Sequence, residues 1–216
     1  LERHIASGAL LTSGRHLQHG DRTQPGRGIN VFSNCSTAAT SSEKFFLLLS
    51  GSGVGRCYDD DVMIVDWRRM PEVHCVLSHN HPDHDFDICD SPAFATSHGM
   101  FVPDPLAREG ALIEFDLSSG SNPGKDYYYF VEDSREGWAR AVELLEGMTY
   151  EGWSNRKLML DFSFVRAKGR PIVGMQHRPS AGPVPTIKAV RSICKMAELA
   201  RAESWPEWKQ TLYVDH

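Results

Sequence analysis

The sequence predicts an α/β fold, and three consecutive stretches carry the prediction. The run DYYYFV is a strand by its aromatic content. The segment DSREGWARAVELLEGM reads as a helix, with Asp133 as N-cap and Glu136 three residues later. Trp138, Ala141, Val142, Leu145 and Met148 recur along one face of it. KLMLDFS is then a near-continuous apolar strand. Strand, helix and strand in this order make a βαβ unit, which implies parallel pairing with a right-handed crossover.

The remaining elements follow in chain order. The stretch up to about Arg27 is polar and rich in Gly, His and Arg, and its local structure is left unassigned. INVFSNCSTAATS reads as a short strand, Ile29 to Phe32, running into a turn of small residues. SEKFFLLLSGSGVGRCYDDD predicts a helix from Ser42 that stops in a glycine-rich loop, Gly51 to Gly55. Residues 59–126 are the least regular and suggest short strands and loops. A second long helix begins near Pro185 and buries Ile187, Val190, Cys194 and Ala197. Near the end, Trp208, Leu212 and Tyr213 fall on one side of a helix that has barely begun; with Leu1 in place of a methionine at the start, the expectation is a fragment of a longer protein. There are no internal repeats or low-complexity tracts.

Composition bounds the function classes. The 216 residues are 41% apolar and 24% charged, as in ordinary globular proteins. A net charge of -5 gives no electrostatic case for nucleic acid or an anionic membrane as partner. No apolar run reaches the length of a membrane span and no signal peptide opens the chain. Five scattered cysteines, Cys35, Cys57, Cys75, Cys89 and Cys194, without C-x-x-C spacing favour a reducing, cytoplasmic setting.

The segment VHCVLSHNHPDHDFD places His79, His81, Asp83 and His84 in the order H-x-H-x-D-H after a short apolar run. Imidazole and carboxylate groups at this spacing can converge on zinc, and an Asp-His pair can serve a second ion. All four positions resemble the motif of metallo-β-lactamase-fold hydrolases. That fold also needs a later histidine, for which His98 and His177 are the candidates, and it opens on β-strands where this chain has a helix. The alternative is a surface turn in which Pro82 and its Asp and His neighbours bond the local backbone.

Four stretches point elsewhere: SNCSTAATS around Cys35, FFLLLSGSGVG ending at Gly55, FVEDSREGWARAVELL, and LDFSFVRAKGRPIVGMQHRPSAGPVP. Cys35 alone reads either as a small buried thiol or as a redox thiol. The glycines of GSGVG give the backbone room to approach a flat base or a phosphate, whereas a helix stop alone accounts for one of the three. Arg166, Lys168, Arg170 and Arg178 make either a solvated basic loop or a phosphate-binding one.

Taken in order, with SGRHLQHGD before them and LYVDH after, these stretches resemble the large catalytic chain of adenosylcobalamin-dependent (class II) ribonucleotide reductase. The resemblance implies the first half of a ten-stranded α/β barrel with an irregular inserted segment. It divides the chain into 1–58 (redox-cysteine strand and glycine-rich loop), 59–126 (inserted segment) and 127–216 (βαβ unit and following helix). It implies that Cys35 is one of two thiols that reduce the ribose, and that Ser33, Asn34, Gly51, Ser52, Gly53, Val54 and Gly55 lie against the substrate. A ribonucleotide would be the substrate, a deoxynucleotide the effector, adenosylcobalamin the radical source and a thioredoxin-like protein the reductant. The family's radical cysteine, the second thiol and the main phosphate site belong to the other half of the barrel. No Asn-x-Cys-x-Glu motif occurs here, so the chain alone is expected to be inactive without a C-terminal half. A nucleotide-binding half that works only with a separately encoded partner is the non-enzyme alternative.

Overall fold

A computed structural model describes residues 3, 7, 35–37, 40–55, 65–97, 99–100, 106–115, 125–173 and 177–214. The chain divides into two compact units, Leu1–Val62 and Met63–His216. The strand expected over Ile29 to Phe32 lies outside the described residues, as do Ser33, Asn34, Cys57 and His98.

In the first unit, β1 (Cys35–Thr37) runs parallel to β2 (Gly53–Gly55), joined through helix α1 (Ser41–Leu49). The helix begins one residue earlier than the sequence indicates, because Thr40 and Glu43 form a reciprocal capping box. It ends at Ser50, and Gly51 follows with φ +79°, a left-handed conformation that favours glycine. The glycine-rich stretch expected as a loop is therefore a loop only in its first half; Gly53–Gly55 pairs as a strand.

The second unit is built on a four-stranded sheet in the order β3-β6-β5-β4, from β3 (Glu72–Val76), β4 (Leu112–Phe115), β5 (Asp126–Phe130) and β6 (Lys157–Asp161). β6 pairs in parallel with both β3 and β5, and β4 is an antiparallel edge. Helix α2 (Pro92–Ser97) follows β3, and α3 (Arg135–Glu151) links β5 to β6. A short hairpin, β7 (Pro171–Ile172) and β8 (Arg178–Pro179), precedes α4 (Val184–Ala202) and α5 (Glu207–Tyr213). The expected βαβ unit is present as β5-α3-β6. The described strands form a mixed α/β arrangement with parallel pairing, as the α/β class expected from the sequence requires. The boundary expected at 126/127 falls within β5, and β4 ahead of it pairs with β5, so both expected segments contribute to one sheet.

Strand alternation sorts the core onto two faces. Cys75, Leu77, Tyr129, Val131, Leu158, Leu160 and Phe162 pack with Ala141, Leu145 and Met148 of α3 and with Ile187, Val190 and Ala197 of α4. Val76, Tyr128, Phe130 and Met159 pack on the other face with Ala95 of α2 and Met100. Cover on both faces explains why KLML reads as an unbroken apolar run. Of the apolar residues expected in α4, Cys194 is only half-buried.

The cap of α3 differs from expectation. Ser134, not Asp133, is the N-cap, its side chain accepting from the Gly137 amide at 2.9 Å. Gly137 is demanded by packing, since a Cβ there would lie 2.4 Å from the Glu132 carbonyl oxygen. Gly147, in the same helix, has open space around the corresponding position. Gly137→Ala should therefore lower stability by about 1–3 kcal/mol through overpacking. Gly147→Ala should raise it by about 0.5–1 kcal/mol, through reduced freedom of the unfolded chain. Urea unfolding of both variants checks this; equal effects of one sign would contradict the packing account.

Candidate functional site

β3, β5 and β6 run parallel, so the segments that follow them leave the sheet at one edge. In open α/β sheets this carboxyl edge is where ligands bind. Here it gathers the histidine loop after β3, residues Glu132 to Ser134 after β5, and the segment from Phe162 to Gly182 after β6.

The three segments are bonded to one another. The Ser78 amide donates to Ser163 Oγ at 2.8 Å. The Lys168 amide donates to Asp83 Oδ2 at 2.7 Å. Gly182, with φ +74°, passes so close that a Cβ would lie 2.5 Å from the same carboxylate oxygen. Arg166 Nε donates to Asp133 Oδ2 at 2.5 Å, and its other nitrogens reach the carbonyls of Asp133 and Pro171. Asp133, read from sequence as a helix cap, thus ties two loops together instead. Beneath them Asp161, the last residue of β6, accepts from the Ser163 amide at 2.9 Å and from the Tyr128 hydroxyl at 2.5 Å. Burial pushes the Asp161 carboxyl above the ordinary carboxylate range, and burial together with the adjacent carboxylate pushes the Tyr128 phenol up.

The four residues of H-x-H-x-D-H do not form a metal centre. His81 Nε2 lies 2.8 Å from the Val165 carbonyl, so it donates, while Nδ1 accepts from the Asp83 amide. His84 Nδ1 donates to the Leu77 carbonyl at 3.1 Å, and its Nε2 is buried without a partner. His79 is exposed and meets the rings of His84 and Phe86. Among the described residues no group of three or more His, Cys, Asp or Glu side chains is placed to hold a metal ion. His177, the candidate later ligand, sits exposed in the β7–β8 turn. The metallohydrolase expectation has no support here: both ring nitrogens of His81 and Nδ1 of His84 hold the turn together, and the four side chains do not converge on one point.

The other sequence candidates separate into two groups. Among the basic residues, Arg166 is bound within the loops, while Lys168, Arg170 and Arg178 are exposed. In the first unit, the pairing of β1 with β2 sets Cys35 across from Gly53, Ser36 across from Val54 and Thr37 across from Gly55. Ser52 is buried and Gly51 exposed. Cys75 and Cys89 are buried and Cys194 half-buried; burial raises all three thiols, Cys194 to about 12, which keeps them protonated and poor as nucleophiles. The residues that sequence reasoning missed are Ser78, Tyr128, Asp161, Ser163 and Gly182. One local signal was available, the single acid closing the apolar run of β6.

A family model described as the insertion domain of B12-dependent ribonucleotide reductase matches residues 107–197. Over 194 residues, 87% of its length, the chain is 27% identical to a protein of Mycobacterium phage D29 named as an adenosylcobalamin-dependent ribonucleoside-triphosphate reductase. The chain is thus similar to B12-dependent ribonucleotide reductases, with the family match confined to residues 107–197. It spans 24% of the length of that phage relative. A solved class II, B12-dependent ribonucleotide reductase is also similar, at 21% identity over 74% of this chain and 20% of that one, with a TM-score of 0.47. The insertion-domain match begins ahead of β4 and ends within α4, so it covers β5-α3-β6 and the Lys168–Gly182 side of the carboxyl edge, while the histidine loop precedes it. No helix among the described residues is long and apolar enough to cross a membrane.

The buried carboxyl gives a pH test. A folded-state pKa raised above the unfolded value means that Asp161 contributes stability fully present below the unfolded pKa and lost as pH rises through the folded one. The stability of the parent chain minus that of Asp161→Asn should therefore fall between acid and neutral pH. Urea midpoints of both proteins across that range measure it; a difference independent of pH would show that burial does not disfavour the ionised carboxylate.

Proposed function

We propose that this chain is one part of an enzyme that converts ribonucleotides to deoxyribonucleotides, and that Cys35 is one of its two reducing thiols. The observation that carries the reading is the register of β1 and β2, which places Cys35 opposite Gly53. A candidate thiol and a glycine stretch suited to close contact with a nucleotide thus lie on adjacent strands. We place Gly51, Ser52, Gly53, Val54 and Gly55 against the substrate, together with Ser33 and Asn34. We also take Leu1–Val62 as the start of a ten-stranded barrel; its parallel strand pair joined through a helix supports this.

The chemistry requires a second cysteine. Replacing the 2′-hydroxyl of a ribonucleotide by hydrogen releases water and consumes two electrons and two protons. Two facing thiols supply both and end as a disulfide, which a thioredoxin-like reductant then reopens. In this reading the second thiol and the radical cysteine lie in a C-terminal half, and a deoxynucleotide acts as effector. Adenosylcobalamin supplies the initial radical. The groove at the acidic loop does not fit that group: it is lined by carboxylates and prolines, and the Nδ1 atoms of His81 and His84 are already engaged. We therefore place its site elsewhere in the intact enzyme and derive no step through it.

The reading is tested by expressing the chain with a C-terminal half from a class II reductase and supplying adenosylcobalamin, dithiol and ribonucleotide. Deoxyribonucleotide should form, and Cys35→Ser should lower its rate by at least about a hundredfold, as expected for loss of a group that acts in the chemical step. Unchanged turnover in that variant would contradict the assignment.

A further inference from the structure

We propose that the groove between the histidine loop and the start of α4 docks a polypeptide partner through a basic side chain flanked by apolar ones. This rests on the second unit alone and is independent of the reductase reading. The groove holds about 820 Å³, with residues Pro82 to Asp87 on one side and Lys168, Val184 and Pro185 on the other. Its apolar surface is contributed by Pro82, Phe86, Val184 and Pro185. Phe86 is 78% exposed even though its ring is held against His84 and His79 at 4.6 and 5.2 Å. An aromatic ring fixed in place and left facing water is a preformed contact surface.

The polar groups of the groove are mostly acceptors. Asp83, Asp85 and Asp87 line it against Lys168, and Arg191 of α4 adds a second cation beside the loop by donating to the Asp87 carbonyl at 3.1 Å, which leaves one negative charge in excess. Asp83 Oδ2 is occupied by the Lys168 amide and Asp85 Oδ1 by the Asp87 amide, so the exposed carboxylate of Asp87 and the second oxygen of exposed Asp85 are the acceptors offered to a ligand. Neither is in an ion pair among the described residues. His84 adds a buried Nε2 with no donor. The helix start that forms the far wall would ordinarily favour an anion, but Pro183 and Pro185 withhold two of its amide donors. A guanidinium or ammonium group is the complement: it brings donors and positive charge, sits over the Phe86 face, and lays its stem along the prolines. The loop is braced before any partner arrives, by the bonds of His81 to Val165, His84 to Leu77 and Asp83 to Lys168.

The test is a titration of the isotope-labelled chain, followed by amide chemical shifts, with two peptides of equal apolar content, Arg-Leu-Arg-Leu-Arg and Glu-Leu-Glu-Leu-Glu. The basic peptide should shift the amides of residues 83–87, 168, 184 and 186, and the acidic peptide should not. Asp85→Asn combined with Asp87→Asn should weaken binding by about tenfold or more, and raised salt should weaken it as well. Phe86→Ala should weaken it without changing the salt dependence. These positions are on the surface, and circular dichroism should confirm that the variants keep their fold. Shifts elsewhere, equal binding of both peptides, or unaltered affinity in the double variant would overturn the proposal. The same shifts arising with protein concentration alone, without peptide, would overturn it in favour of a second copy of the chain.

Discussion

Parallel pairing of β6 on both sides is the constraint from which the second unit follows. A strand flanked in parallel by β3 and β5 must be reached by crossovers, and the helices that make them cover the sheet faces. It also obliges three separate segments of the chain to leave the sheet at one edge. There Asp161 ends the central strand as a buried carboxyl, bonded to Tyr128 below it and to the turn of Ser163 above. Ser163 in turn holds Ser78, the first residue beyond the apolar end of β3. The loops of the candidate site are thus anchored to the core through one buried acid, which is costly to ionise and well supplied with donors.

Local signals explain what could be read from the sequence. The β5-α3-β6 unit was legible because aromatic content, a period of 3.6 and an apolar strand agree over a continuous stretch. α4 was legible for the same reason. The cap of α3 was misplaced by one residue because Asp133 and Ser134 are both able to cap; what separates them is Arg166, thirty-three residues away, which takes Asp133 into a different bond. The neighbour relations in the sheet were not legible. Nothing in EVHCV states that it lies beside KLMLD rather than beside the nearer LIEF, and the carboxyl-edge cluster depends on that order.

The histidine motif shows the limit of spacing as an argument. H-x-H-x-D-H specifies which groups are available, but their direction is set by what the backbone needs. After β3 the chain turns sharply and must satisfy its own amides and carbonyls, and His81, Asp83 and His84 are the groups nearest to do so. The Cys35 stretch is the opposite case: neither its composition nor its periodicity distinguishes a packing thiol from a reducing one. What can be added to it is the backbone register that sets Cys35 across from Gly53.

The central claim is that the sulfur of Cys35 is consumed when ribose is reduced. The most direct measurement is a single turnover of the assembled enzyme without external reductant, followed by alkylation of free thiols and peptide mass spectrometry. Cys35 should be recovered in a disulfide in proportion to the deoxyribonucleotide formed, with Cys75, Cys89 and Cys194 still free. Product formed while Cys35 remains fully alkylatable would contradict the account.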